Sequence, residues 1–305
     1  MTLDNIIILI QTTLLVGLLY SFLTLGLSLS FRILNYPDLT LEGSMIIGGA
    51  ISYYIISIGV NPFLSLIFGG IAGMLAGFFT AIQNIYLKVG KLLSGIITTA
   101  ILYSLTIRVL EGKSNARFNE GQTVFTTLNP GNSTNISIFI IFIILLCLTL
   151  LLTYYFRTKS GMLLRAAGGN ERFLISYGKN PKIYTFIGLG LANAVIGLGG
   201  AILVNFKNTV DINMSFGLLV SALAAMVIGE TIINAHKMWH SIFGNIFGTI
   251  IYNLAIGIFL FSWDSQNDSF FIPSDVRMIT GLLLIIPIVI KNKKSDRFNL
   301  FNSEW

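Results

Sequence analysis

A chain of 305 residues that is 54% apolar and only 10% charged, with a mean hydropathy of +0.81, is excluded from the soluble class, where about a quarter of residues carry charge. Its formal net charge of +6 does not point to nucleic acid, because the 19 Lys and Arg fall in short loops between apolar runs, as membrane topology requires. One cysteine, Cys147, inside an apolar run, excludes an internal disulfide and a cysteine-rich metal site.

A helix needs about 20 apolar residues to cross the hydrocarbon, so uncharged windows mark the spans. The first covers residues 5–31; Arg32 is the first cation, so no basic leader precedes it and the run is expected to be a retained span. The window 43–87 is too long for one span and is expected to break at Gly59-Val60-Asn61-Pro62, giving a second and a third helix. A fourth runs over 92–109. The polar stretch 111–135 is then read as the longest loop but one, with a turn at Asn129-Pro130-Gly131. A fifth helix at 136–156 leads into 157–182, RTKSGMLLRAAGGNERFLISYGKNPK, where Arg157, Lys159, Arg165, Arg172, Lys179 and Lys182 face one acid, Glu171. Further spans are expected at 183–206, 215–233, 239–261 and, shorter, 274–290.

Cytoplasmic loops of membrane proteins carry the excess of Lys and Arg. Placing 157–182 and the tail with Lys291, Lys293, Lys294 and Arg297 in the cytoplasm puts 14 cations inside and five outside: Arg108, Lys113, Arg117, Lys207 and Arg277. The expected fold is therefore an all-α, polytopic membrane protein of about nine transmembrane helices, N-terminus out and C-terminus in, forming one domain over 1–305.

Shifted by 175 residues, the sequence matches itself without gaps. Phe31-Arg32 falls on Phe206-Lys207, Asp38-Leu39-Thr40 on Asn213-Met214-Ser215, and IFGGIAG at 67–73 on IFGNIFG at 242–248. Five expected spans separate the copies, so the second would run through the bilayer upside down, the inverted-repeat plan of many transporters. The repeats would cover approximately 6–110 and 183–290; the alternative is chance likeness among Ile-, Phe- and Gly-rich helices. Within them Gly69, Gly73 and Gly77, and Gly244 and Gly248, recur every four residues and make small-residue faces for close helix packing, within one subunit or across a dimer.

Asn35-Tyr36-Pro37-Asp38-Leu39-Thr40-Leu41-Glu42-Gly43 puts two carboxylates and a proline at the start of an apolar helix. It reads either as a broken helix lining a path, through Pro37, Asp38, Thr40 and Glu42, or as an interfacial cap in which Asp38 or Thr40 closes the helix end and Glu42 faces its dipole. Asp211, Asn213 and Ser215 in the second copy read the same way. His236 and His240 are spaced for a metal but lack a neighbouring acid or thiol, and are read as interfacial, as is Glu230. Gly112-Lys113-Ser114 resembles the end of a phosphate loop, yet Ile107 stands where its first glycine belongs, so no nucleotide site is expected in the chain. No Ser-His, paired-Asp or HExxH arrangement supports an enzyme.

FRILNYPDLTLEGSMIIGGAI (31–51), GKLLSGIITTAILYSLTIRVLEGKSN (90–115), SGMLLRAAGGNERFLISYGKNP (160–181) and VDINMSFGLLVSALAAMVIGE (210–230) resemble the permease subunits of bacterial ATP-binding-cassette importers of the branched-chain amino acid permease superfamily, closest to its tryptophan, tyrosine or amino-acid-like branch. The resemblance covers nearly the whole chain, and PDLT-x-EGS is its most specific part; family members more often have Asp where Glu42 stands. It implies a homodimer in the cytoplasmic membrane, a cytoplasmic ATP-binding subunit that holds ATP-Mg, and an extracytoplasmic substrate-binding lipoprotein, with no cofactor in this chain. It also implies that a short helix in the basic loop docks into the ATPase, through the pattern falling on Gly161, Arg165, Ala166, Gly168 and Asn170. The solute expected is an amino acid, aromatic ones included. Two alternatives stay open: an ion-coupled secondary transporter using Asp38 or Glu42, and an importer of sugars or nucleosides.

Overall fold

The computed structural model describes residues 3–118, 123–129, 131, 133–233, 238–264 and Gly281. The chain order is α1 (Leu3–Ser28), which widens its winding into a turn of π-helix (Leu29–Ile33), then α2 (Leu41–Ser57), α3 (Pro62–Ile85), α4 (Lys91–Val109), β1 (Asn115–Arg117), α5 (Val124–Leu128) and α6 (Thr134–Arg157). There follow α7 (Lys159–Gly169), α8 (Glu171–Ser176), α9 (Pro181–Lys207), β2 (Thr209–Asp211), α10 (Leu218–Ile232) and α11 (Met238–Asp264).

Local chemistry sets the breaks. After α2, Gly59 takes φ +82°, open to a residue without a Cβ. Asn61 then caps α3 by accepting from Phe63 N at 2.9 Å, with Pro62 in the first turn, where its missing N–H costs nothing. Asn180 and Pro181 open α9 in the same way. The polar stretch expected as loop holds two elements of its own. Thr123 and Thr126 form a reciprocal capping box on α5, and β1 pairs antiparallel with β2, Ala116 opposite Val210. Neither was legible as periodicity, because three-residue strands and a five-residue helix are shorter than any repeat.

Among the described residues, six helices are long and apolar enough to cross a bilayer: Asp4–Ile33, Pro62–Ile85, Lys91–Val109, Thr134–Arg157, Pro181–Lys207 and Trp239–Leu260. The helices expected second and seventh are shorter than full spans. At 1.5 Å per residue the 17 residues of α2 reach about 26 Å and the 15 of α10 about 23 Å, against about 30 Å of hydrocarbon. Segments 34–40 and 208–217, ahead of these helices, are not helical. The ninth expected helix, with Arg277 and the basic tail, lies outside the described residues, as do Lys237 and His236.

The centre of the structure is α9, buried around most of its girth. Apolar side chains of α1, α2, α6, α9 and α10 form the main core, Phe22, Leu23, Leu41, Met45, Ile141 and Ile196 among them. Glycines let the backbones close up: a Cβ on Gly73 would strike Asn193 O and Gly197 of α9, and one on Gly248 would strike Ala225 O and Gly229 of α10. Gly69 and Gly77 likewise lie on α9, against Ala201 and Leu189, and Gly244 on α10, against Gly229. The helix pairs come in a matched set: α3 runs along α9 as α11 runs along α1, and α2 packs on α3 as α10 packs on α11.

Candidate functional site

The segment between the π-turn and α2 is extended and inside the protein. Tyr36, Asp38 and Thr40 are buried, while Pro37 and Leu39 are half-buried. Asp38 does not cap α2: its Oδ1 accepts from Thr40 N at 2.8 Å and its Oδ2 from Asn193 Nδ2 at 2.7 Å. Thr40 occupies the cap position without a side-chain capping bond, because its hydroxyl shares a hydrogen bond with Thr80 of α3 at 2.7 Å. From there the polar chain continues to Thr98 of α4 at 2.9 Å, on which Gln83 Nε2 also donates at 2.8 Å. Tyr36 OH bonds Ser94 Oγ at 2.8 Å, and Ser44 Oγ donates to Asn193 Oδ1 at 2.6 Å. Asn193 thus ties the extended segment and α2 to a point close to the midpoint of the 27-residue α9. A polar side chain at such depth demands partners, and here it has them.

Glu42 does something sequence reading did not foresee. Instead of facing the dipole of its own helix, its Oε1 accepts from Gly217 N at 3.0 Å and Leu219 N at 3.1 Å, capping the start of α10. Ser215 Oγ donates to the Glu42 carbonyl at 2.9 Å. The N-terminal ends of α2 and α10 therefore meet, joined by a carboxylate and a hydroxyl. Of the residues expected on the path, Asp38 and Thr40 fall in one cluster and Glu42 and Ser215 in another beside it. Asn213 stands apart in an exposed turn, its backbone N donating to Asp211 Oδ1 at 2.7 Å. Glu230, expected among headgroups, pairs with Arg32: Nη2 donates to Oε2 at 2.7 Å and Nε to Oε1.

The basic segment folds as two short helices. The short helix of the basic loop is α7, Lys159–Gly169, and Gly161 and Gly168 lie within it. Thr158 caps it, accepting from Gly161 N at 3.3 Å. A Cβ on Gly161 would strike Tyr155 O and Phe156, and one on Gly168 would strike Ile33 O and the backbone of Leu34. These two glycines, with Leu164 and Ala167, form the seat of α7; Met162 and Arg165 face outward and Ala166 is half-buried. Asn170 ends α7 and caps α8, accepting from Phe173 N at 3.2 Å. The residue that α7 rests on is thus Ile33, the end of the π-turn, five residues before Asp38.

Buried polar chains between bundled helices, two shortened helices whose N-terminal ends meet and a seated basic helix beside them are features of a polytopic transport protein. Residues 9–288 match the family described as branched-chain amino acid transport system / permease component, and the chain belongs to it. It is accordingly an integral protein of the cytoplasmic membrane, and members of the family are transport subunits, not enzymes themselves. Among similar proteins, a tyrosine transport system permease protein of Clostridioides difficile is 29% identical over 269 residues, covering 88% of this chain and 86% of that one. A nucleoside ABC transporter permease protein, NupC, of Lactococcus lactis is 24% identical, covering 72% and 70%. A probable branched-chain amino acid transport permease protein, LivH, of Methanocaldococcus jannaschii is 24% identical, covering 68% and 69%. No solved structure matches the chain significantly.

Proposed function

We propose that this chain is the membrane-spanning subunit of an ATP-binding-cassette importer for an amino acid, aromatic amino acids being the first to test. A separate cytoplasmic ATPase drives it, an extracytoplasmic lipoprotein delivers the solute, and two copies form the passage. The observation that carries the reading is the seat of α7. An exposed face with Arg165 and Met162 is available to a soluble partner, while Gly161 and Gly168 fix the opposite face to α6 and to the π-turn. Force on α7 would reach the Asp38–Asn193 bond through five residues of chain.

The inverted repeat is part of the proposal. It is supported by the matched helix pairs and by one contact: Glu42 bonds Gly217, its own counterpart at the 175-residue offset. In a two-fold arrangement a residue touches its counterpart only near the axis, so the helix ends meet where the halves rock against each other. The tyrosine permease among its relatives favours an aromatic amino acid, and the nucleoside permease supports a second solute class. Ion coupling is less well supported, since Asp38 and Glu42 are both engaged in fixed bonds. The test is uptake into proteoliposomes holding this chain, its ATPase and its binding protein, with radiolabelled tyrosine, leucine and a nucleoside. Uptake that follows an ion gradient and ignores ATP overturns the proposal.

A further inference from the structure

We infer that the Arg32–Glu230 pair is a latch closing one end of the passage, that it exists at that end alone, and that α7 is placed to release it. The inference rests on the proposed function above, in which the two halves rock against each other. Glu230 lies in the last turn of α10, where the negative end of the helix opposes a carboxylate, and its side chain is only 6% exposed. A carboxylate there needs a cation, and Arg32 supplies one with two parallel hydrogen bonds. The pair joins the first half of the chain to the second across the interface that must part. Half-exposed Arg32 and deeply set Glu230 hold the two halves together through paired charge-assisted bonds, and the contact favours the closed arrangement.

At the corresponding positions of the proposed repeat the sequence does not place such a pair. At the 175-residue offset Arg32 corresponds to Lys207, but Glu230 corresponds to Ile55, so the other end has the cation and lacks the acid. What stands next to the latch is α7: Gly168 lies against Ile33 O and Leu34, the residues immediately following Arg32. The π-turn itself, with Leu34 N bonded to Leu29 O at 3.1 Å, is a winding found most often at functional sites and carries one residue more than an α-turn. A shift of α7 therefore acts on the backbone that aims the guanidinium.

The test uses the full-length chain in membrane vesicles of both orientations, with Cys147→Ala and a reporter, Met226→Cys. Met226 is 1% exposed and one helical turn from Glu230 on the same face. Its labelling by a membrane-impermeant maleimide reads whether that end is open. Arg32→Ala and Glu230→Ala should each raise labelling from the cytoplasmic side about tenfold, less than for a fully buried pair because Arg32 is half-exposed. Exchanging the charges, Arg32→Glu with Glu230→Arg, should bring it back to within about twofold of the starting rate. Unchanged labelling in the single variants, an increase from the other side, or no recovery in a folded exchange variant overturns the latch. If the single variants do not accumulate, Arg32→Cys with Glu230→Cys decides: a cross-link by a short bis-methanethiosulfonate that stops uptake until reduced supports the inference, and uptake that persists through it overturns it. Uptake by the unaltered chain with and without ATP is scored separately, so a failed ATPase reading leaves the labelling result standing.

Discussion

Asn193 joins three elements with a single amide: it donates to Asp38 and to Leu189 O at 2.9 Å and accepts from Ser44. Replacing it with Leu keeps the volume but strands two buried polar partners, a loss of about 1–3 kcal/mol each. Asn193→Leu should therefore lower the thermal midpoint of the detergent-purified protein well below that of Ser44→Ala, which leaves the Asp38 bond intact. At Glu42 the chemistry separates two mechanisms. Glu42→Gln retains an oxygen for Gly217 N and Leu219 N and should keep uptake within about threefold, whereas Glu42→Ala should lose about tenfold, the span between a weakened and an absent cap. A carrier that binds an ion at Glu42 would fail equally in both variants, and an uptake assay distinguishes the cases. The sequence named Asp38 and Glu42 because charge at the head of an apolar helix is conspicuous. It did not name Asn193, Thr80 or Thr98, since one amide or hydroxyl among apolar residues is also an ordinary packing feature. The signal that would have found Asn193 is its isolation within the apolar run of α9.

Among the elements, α7 makes the sharpest prediction. Gly168→Val drives a branched side chain into the π-turn, while Gly169 faces open space. Gly168→Val should uncouple ATP hydrolysis from uptake in reconstituted protein, and Gly169→Ala should leave the ratio of solute moved to ATP hydrolysed unchanged. The same contrast holds for α3: Gly73→Val should abolish accumulation of folded protein, whereas Gly70→Ala meets nothing nearer than 3.6 Å and should be tolerated. Helix existence and the break at Gly59–Pro62 were legible from hydropathy and turn residues. The starts of α2 and α10 lie within three residues of the windows expected from 43 and 215; what windowed hydropathy could not see is the tertiary bonding of the segments ahead of them, Asp38 to Asn193 and Ser215 to the Glu42 carbonyl.

For the whole molecule, the orientation proposed from the charge distribution puts α7 in the cytoplasm. In a Cys147→Ala background, Ser160→Cys should react with an impermeant thiol reagent only when cells are opened; labelling of intact cells would overturn the orientation. The asymmetry of cations was legible from the sequence because it is a property of loops, which hydropathy isolates well. The contact between Glu42 and Gly217 was not, although the offset of 175 already contained it: a repeat says which positions correspond, and only the folded chain says which of them meet.

The two strands carry a mechanical consequence. Gly188, packed on Leu34, and Lys207, just ahead of β2, lie about 28 Å apart along α9, so the β1–β2 ribbon is stitched by main-chain bonds at the far end of the helix from the ion pair. A clamshell with a removable pin at one rim and a sewn seam at the other swings about the seam. A disulfide between Ala116→Cys and Val210→Cys, facing each other in that ribbon, should therefore leave transport nearly untouched, though it fastens the same molecule as firmly as a bridge at the other rim.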